Sequence, residues 1–331
     1  MKVYCNVDLV GRSDESIKFL YFLPKSQAVY KLDSLFWFLR TLSKSDLDCI
    51  LIFNANLFYM AASFLYRLCG GKAKIVYFDV LLKLPVGIRQ RVIATIKSLF
   101  LRSVDCFFSV HKDLSDYSKY YGISSSRSHY IPFKANNFEI RASYPLSDEG
   151  YVLSCGVSHR DYKCLFKAVD GLDVKVKVVL PNSHNIQFHK TQVDFAYIPK
   201  NVEIVAHDFN KDSWNKILSG AKVVVIPISM DSIQPSGISV YLESMMFKKP
   251  VIISEGPSSK NLIDSGQSLI VERGSVSALR NAIQLLNRDE ELRNKYAMAG
   301  YNYALELQGV DRLIRDMKVG LLSLRKTPVN I

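Results

Sequence analysis

Short apolar runs rich in Val, Ile and Phe alternate along this chain with longer stretches whose apolar residues recur at helical spacing. That alternation predicts parallel strands buried on both faces and covered by helices. In the first half, the runs at 2–7, 49–53, 75–78, 106–110 and 129–131 predict strands. The segments 14–19, 34–43, 58–69, 88–101 and 114–121 predict helices, with Asp33, Ser34 and Asp113 as N-cap residues. From 133 to 148 the sequence is polar and aperiodic, as an interdomain linker would be. Strand runs resume at 151–155, 175–180, 202–205, 223–227, 250–253 and 268–271. Helical periods fall at 163–169, 211–219, 237–246, 258–264 and 276–287, and a helical tail covers 289–325. The expected architecture is α/β, with two doubly wound Rossmann-like domains at 1–138 and 150–305, a linker at 139–149, and a C-terminal helix at 306–331 crossing back toward the first domain. Ligands of such sheets bind beyond the carboxyl ends of the strands, so chemistry is expected in a cleft where two such ends face each other.

Composition narrows the partners. Apolar residues make up 48% of the 331 and charged residues 22%, which fits a globular chain. Forty-three Lys and Arg against 31 Asp and Glu leave a net charge of +12, favouring polyanions, phosphorylated substrates or an anionic membrane surface. Zinc-finger spacing, RNP-type aromatics and dense basic runs are absent, which argues against nucleic acid. The six cysteines are scattered without CxxC spacing and read as buried thiols. No secretory leader opens the sequence and no run approaches the roughly 20 apolar residues of a membrane span, so a cytoplasmic protein is expected, peripheral on the membrane face if bound to it. The predicted helix 88–101 mixes Ile88, Val92, Ile93, Ile96 and Leu99 with Arg89, Arg91 and Lys97. It reads either as an ordinary core-facing helix with a basic edge or as an amphipathic helix lying on an anionic leaflet.

The stretch 234–254 carries the candidate chemistry: a loop Gln-Pro-Ser-Gly, a helix, and a buried strand. Gly237 lets a ligand approach the backbone, and the free N–H groups of a helix start attract phosphate oxygens. Glu243 lies about two turns into that helix on the face of Ser239, where a carboxylate can accept the hydroxyls of a ribose. A Ser-Gly helix start with one exposed Glu is also common in α/β proteins with no such site.

This stretch resembles the donor-site signature of the retaining family 4 glycosyltransferases (glycosyl transferases group 1), with Glu243-Ser-Met and Lys249-Pro-Val-Ile-Ile in the corresponding places. Pro235 stands where that family has a first Glu that contacts the transferred sugar, leaving Gln234 and Asp231 as candidate replacements. The segment 154–168 resembles the family's strand, turn and helix start. It puts Arg160 at the position of the pyrophosphate-binding Lys and Val157 at that of a usual Arg. A fixed cation there would stabilise the leaving diphosphate, although Arg160 and Asp161 pairing to cap a helix is the plainer alternative. The segment 202–227 resembles the base pocket, with Phe209, Ile226 and Pro227 flanking the base. The resemblance therefore implies a GT-B fold and a donor site of Gly156, Ser158, Arg160, Pro227, Gln234, Ser236, Gly237, Ile238, Ser239 and Glu243.

The first half matches more weakly, at 104–111 and 130–133. Gly11 and Arg12 fall in the first loop, where such enzymes admit the acceptor, and equally suit a surface turn. Asp79 and His111 each follow a predicted strand, placed either to position or deprotonate an acceptor hydroxyl or to cap a helix. His184 and His189 are spaced wrongly for a metal on one helix face, and nothing in the sequence reads as a DxD-type metal motif. The expected function is a metal-independent GT-B hexosyltransferase without a cofactor. It would move a sugar, with retention, from a UDP- or GDP-linked donor to a saccharide or polyprenyl-diphosphate-linked acceptor, in bacterial surface polysaccharide or lipopolysaccharide synthesis. The alternatives are a sugar-nucleotide epimerase of the same architecture and a non-catalytic protein that binds polyanions or membranes.

Overall fold

The computed structural model describes residues 1–21, 46–180, 189–208 and 210–325. The predicted helix 34–43 with its caps Asp33 and Ser34, the base-flanking Phe209 and His184 lie outside the described residues. Contacts divide the chain into two units, Met1–Pro132 with Ile314–Ile331, and Phe133–Leu313.

The first unit is a parallel sheet ordered β2-β1-β3-β4-β5-β6. Its strands are β1 (Lys2–Cys5), β2 (Lys18–Tyr21), β3 (Cys49–Phe53), β4 (Lys74–Phe78), β5 (Cys106–Ser109) and β6 (Ser128–Tyr130). Ile50, Leu51, Ile52, Ile75, Val76 and Tyr77 are wholly buried, as strands covered on both faces require. Helices α1 (Leu57–Leu68), α2 (Gly87–Leu101) and α3 (Ser115–Tyr121) connect them. Asn56 starts α1 by accepting from the N–H groups of Phe58 and Tyr59. The helix expected at 14–19 does not form. Asp14 instead closes a turn onto the N–H groups of Ser16 and Ile17, and buried Ile17 and Phe19 alternate with exposed Lys18 in an edge strand beside β1.

The second unit is also parallel, ordered β12-β11-β10-β7-β8-β9. Its strands are β7 (Tyr151–Cys155), β8 (Lys175–Leu180), β9 (Val202–Ala206), β10 (Val223–Ile226), β11 (Val251–Ser254) and β12 (Leu269–Val271). Helices α4 (Tyr162–Val169), α5 (Lys211–Gly220), α6 (Ile238–Met246), α7 (Val276–Arg288), α8 (Glu290–Leu307) and α9 (Val310–Leu324) follow. From Ile314 onward α9 belongs to the first unit. The order reverses between β7 and β10, so this unit's switch point lies where the chain leaves Cys155 and Ile226.

Two further expectations change. Residues 258–264 form turns rather than a helix, Ser259 and Lys260 both bonding back to the Gly256 carbonyl. The tail is two helices broken at Gln308, whose φ is 51°. The stretch 133–149 packs within the second unit as an irregular layer containing one short turn of helix at Arg141–Ser143. No helix among the described residues is long and apolar enough to cross a membrane.

Candidate functional site

At the switch point of the second unit, β7 runs into Gly156, whose φ of +107° only glycine adopts without strain. The next residues return Arg160 over it. The guanidinium donates through Nε to the Cys155 carbonyl (2.9 Å) and through Nη1 to the Ser158 carbonyl (2.7 Å). A Cβ on Gly156 would stand 2.4 Å from Nη2, so the glycine is what lets the guanidinium lie there. Arg160 is 2% exposed and burial pushes its pKa below the ordinary guanidinium value. No carboxylate among the described residues answers it. Asp161, its partner in the alternative reading, does cap α4, accepting from the Cys164 N–H (2.9 Å), but does not pair with Arg160. Nη2 has no hydrogen-bond partner among the described residues.

The loop is fastened on both sides. Asp161 N–H donates to the Pro227 carbonyl (3.0 Å), and Ser229 N–H donates to the His159 carbonyl (2.9 Å). Gln192 N–H donates to the Arg160 carbonyl (2.7 Å). His159 holds a left-handed φ of 52°, local strain of the kind that clusters at working sites.

Helix α6 begins beside this cation. Its buried residues Ile238, Tyr241, Leu242, Met245 and Met246 make one stripe, which leaves Ser239 and Glu243 on the opposite side. Gly237 precedes it with φ +106°, and a Cβ there would lie 3.0 Å from Ile226 Cγ2 and 3.8 Å from Arg160 Nη2. No side chain among the described residues caps the helix start. Open amides and a buried guanidinium without an ion pair therefore share one small region, which is a strongly positive place. Ser158 and Ser236 border it with hydroxyl oxygens 3.4 Å apart, and Gln234 and Ser236 are buried.

Glu243 is already engaged. Asn136 Nδ2 donates to Oε1 (2.7 Å), Trp214 Nε1 donates to Oε2 (3.0 Å), and Asn137 Nδ2 reaches the Glu243 carbonyl (3.3 Å). Burial raises the carboxyl's pKa, and the Asn136 and Trp214 hydrogen bonds pull against it. Each carboxylate oxygen retains a second acceptor site, so the group can still take two hydroxyls while held in place. Asp231, a candidate replacement for the missing glutamate, lies 3.9 Å from His159 Nδ1 and 3.8 Å from Lys190 Nζ. Its loop is held by Arg273, whose Nη1 donates to the Ser232 carbonyl (2.9 Å). Asn136, Trp214 and Arg273 were not foreseen. The only signal was an indole N–H, which needs an acceptor when it leaves water.

In the first unit, Asp79 and His111 line one void of about 10 Å³, beyond the carboxyl ends of β4 and β5. That is about the room one water takes. Asp79 Oδ1 and His111 Nε2 are both buried without a hydrogen-bond partner among the described residues. Burial pushes the Asp79 carboxyl up to about 6 and the His111 imidazole down to about 4. His111 Nδ1 lies 3.0 Å from Ser109 Oγ. Gly11 and Arg12 sit in an exposed single turn, and the space a Gly11 side chain would enter is empty.

Helix α2 buries only Ala94 and Leu101. Ile88 is 83% exposed, and Val92, Ile96 and Leu99 are each more than 40% exposed. An ordinary core-facing helix would bury these side chains.

The model of the family "Glycosyl transferases group 1" matches residues 139–303. A glycosyltransferase from Rickettsia africae superposes with a TM-score of 0.65 at 14% identity, over 99% of this chain and 90% of that one. HepE from Anabaena, solved with UDP and glucose, gives 0.66 at 14% identity over 93% and 86%. Sucrose-phosphate synthase from Thermosynechococcus elongatus gives 0.67 at 15% identity over 93% and 83%. No curated protein sequence matches as a relative.

Proposed function

The chain is a GT-B glycosyltransferase with a group 1 domain, and from that premise we propose that it transfers a hexosyl group, with retention, from a nucleotide-diphosphate sugar to a saccharide or polyprenyl-diphosphate-linked acceptor, in bacterial surface polysaccharide assembly. The observation that carries the reading is the Arg160 guanidinium, buried without a carboxylate between Gly156 and the uncapped start of α6. Keeping a desolvated cation unpaired is costly, and a bound diphosphate would repay that cost. Charge gathers on the leaving diphosphate in the transition state, where a fixed cation and preorganised amides act with little reorganisation. Because the protein supplies that positive potential, the reading asks for no metal and no cofactor. Ser158, Gln234, Ser236, Ile238 and Ser239 border the sugar and phosphates, Glu243 holds the ribose, and Pro227 flanks the base. On the acceptor side, Asp79 with His111 positions the attacking hydroxyl, and Gly11 and Arg12 form the entry loop.

The Anabaena protein was solved with UDP and glucose, which makes UDP the first donor nucleotide to try. A membrane-facing position is supported by α2, where exposed apolar side chains stand among Arg89, Arg91 and Lys97 with no acidic residue in the helix. The test is a thermal-shift panel of UDP, GDP and their sugars. A ligand at 100 times its Kd stabilises the native state by about 2.7 kcal/mol. One nucleotide should raise the melting temperature of the parent, and Glu243→Ala should raise donor KM strongly. An unchanged Glu243→Ala enzyme, or a panel without any shift, would refute the assignment.

A further inference from the structure

The first unit contains a cavity of about 730 Å³ lined by none of the residues assigned above, at the amino ends of β4, β5 and β6 between the last turns of α1 and α2 and helix α9. Substrates of open parallel sheets bind at the opposite edge, beyond the carboxyl ends. This volume is within the range that small-molecule sites occupy.

Four cations, Arg67, Lys74, Arg102 and Arg127, line the cavity against one carboxylate, Asp105. That carboxylate is already engaged. Asp105 pairs with Arg67 Nη2, accepts from the Ile75 N–H (2.7 Å), and lies 3.9 Å from Lys74 Nζ. Arg102 and Arg127 are left without an ion pair among the described residues. Arg127 donates through Nη2 to the carbonyls of Leu101 and Val104, and burial pushes its pKa down. The Arg102 guanidinium has no hydrogen-bond partner among the described residues. The rest of the wall mixes small polar side chains, chiefly serines, with an apolar side formed by Phe64, Val104 and Leu324 and by Leu68, 69% exposed, which reaches solvent. Two guanidinium groups without ion pairs among the described residues suit the several oxygens of a phosphate, and the apolar side of the wall suits a hydrocarbon attached to it.

We propose that this cavity binds a phosphate ester carried on an apolar body, the phosphate against Arg102 and Arg127 and the body along Phe64, Leu68 and Leu324. The ester is either a soluble metabolite or the headgroup region of an anionic phospholipid. Neither source depends on the transferase reading, and failure of that reading would leave the cavity's charge unaltered.

The full chain is titrated with butyl phosphate and inorganic phosphate by calorimetry, and with phosphatidylcholine vesicles with and without phosphatidic acid by co-sedimentation. Arg102→Glu and Ser323→Trp are tested alongside, both at exposed positions where folding is not at stake. Butyl phosphate should bind the parent more tightly than inorganic phosphate, and Arg102→Glu should weaken it at least about tenfold. Ser323→Trp should block it by filling the cavity. Binding of butyl phosphate with no dependence on phosphatidic acid identifies a soluble ligand. A phosphatidic-acid-dependent increment lost in Ser323→Trp, which leaves α2 untouched, identifies a lipid. Equal affinity for the two phosphates, indifference to both substitutions, or no binding of any probe would overturn the proposal.

Discussion

Replacing Asp79 by Asn should make the protein more stable and, on the proposed reading, less active. The carboxyl is buried, Oδ1 lacks a hydrogen-bond partner among the described residues, and burial raises its pKa from the usual 3.8 to about 6. Below about pH 3 the group is neutral in both the folded and the unfolded chain, and the site carries no penalty. As pH rises, the unfolded chain releases its proton first, and native stability falls until the folded group has also ionised above about pH 6. The full difference is about 3 kcal/mol, with roughly half of it present at pH 5 and nearly all at pH 7.5. Asn keeps the shape and removes the charge. It also tolerates the left-handed φ of 49° at this position, which adds a small gain independent of pH. The discriminating measurement is therefore urea unfolding of Asp79→Asn and the parent at both pH values. The gain should be about 1 to 2 kcal/mol larger at pH 7.5. A gain equal at the two pH values, or a loss at either, would show that Asp79 does not ionise in a dry site. If Asp79 handles the acceptor proton, turnover should fall by about 10²–10⁴ in the same variant.

Gly156→Ala should displace Arg160 without removing it, because the new Cβ would stand 2.4 Å from Nη2 at a φ of +107°. Nucleotide binding should be lost together with about 1–3 kcal/mol of stability, and unchanged nucleotide affinity by calorimetry would exclude Arg160 from the donor site. Arg160→Met should raise the unfolding free energy of the ligand-free protein by about 1–4 kcal/mol while abolishing stabilisation by nucleotide. A less stable variant that still responds to nucleotide would contradict both expectations. Trp214→Phe removes the 3.0 Å donor to Glu243 Oε2, so donor KM should rise about tenfold or more with kcat less affected. A change confined to kcat would point to a different role for Glu243.

Much of the fold was legible because buried parallel strands leave apolar runs, and eleven of the twelve strands among the described residues overlap segments expected as strands, although β6 and β9 are only partly buried. Strand β2 was missed since four residues at a sheet edge are too short to separate alternation from one turn of helix. The segment 258–264 has helical period, yet Gly256 and Pro257 start it with turns that bond back over three or four residues. In the candidate site, the placement of Gly237 and Arg160 was visible through local sequence, because a glycine before a helix and a cation after a strand are positioned by their own segments. The residues that hold Glu243 were not visible in this way. Asn136 is 107 residues away in sequence and Trp214 is 29, and their meeting depends on the packing of the whole unit. The burial of Arg160 without an acid was equally hidden, since Asp161 stands next to it in sequence but turns toward α4.

The residues of α9 from Ile314 onward belong with the first sheet, where Lys318 pairs with Asp14 and a side chain on Gly320 would collide with the Phe108 ring. The unit made earliest during synthesis is thus finished by a helix that leaves the ribosome late. Until then the nascent first half has an uncovered flank, so it should depend on chaperones longer than the second half does, and deletions that remove α9 should be felt in the opposite end of the polypeptide.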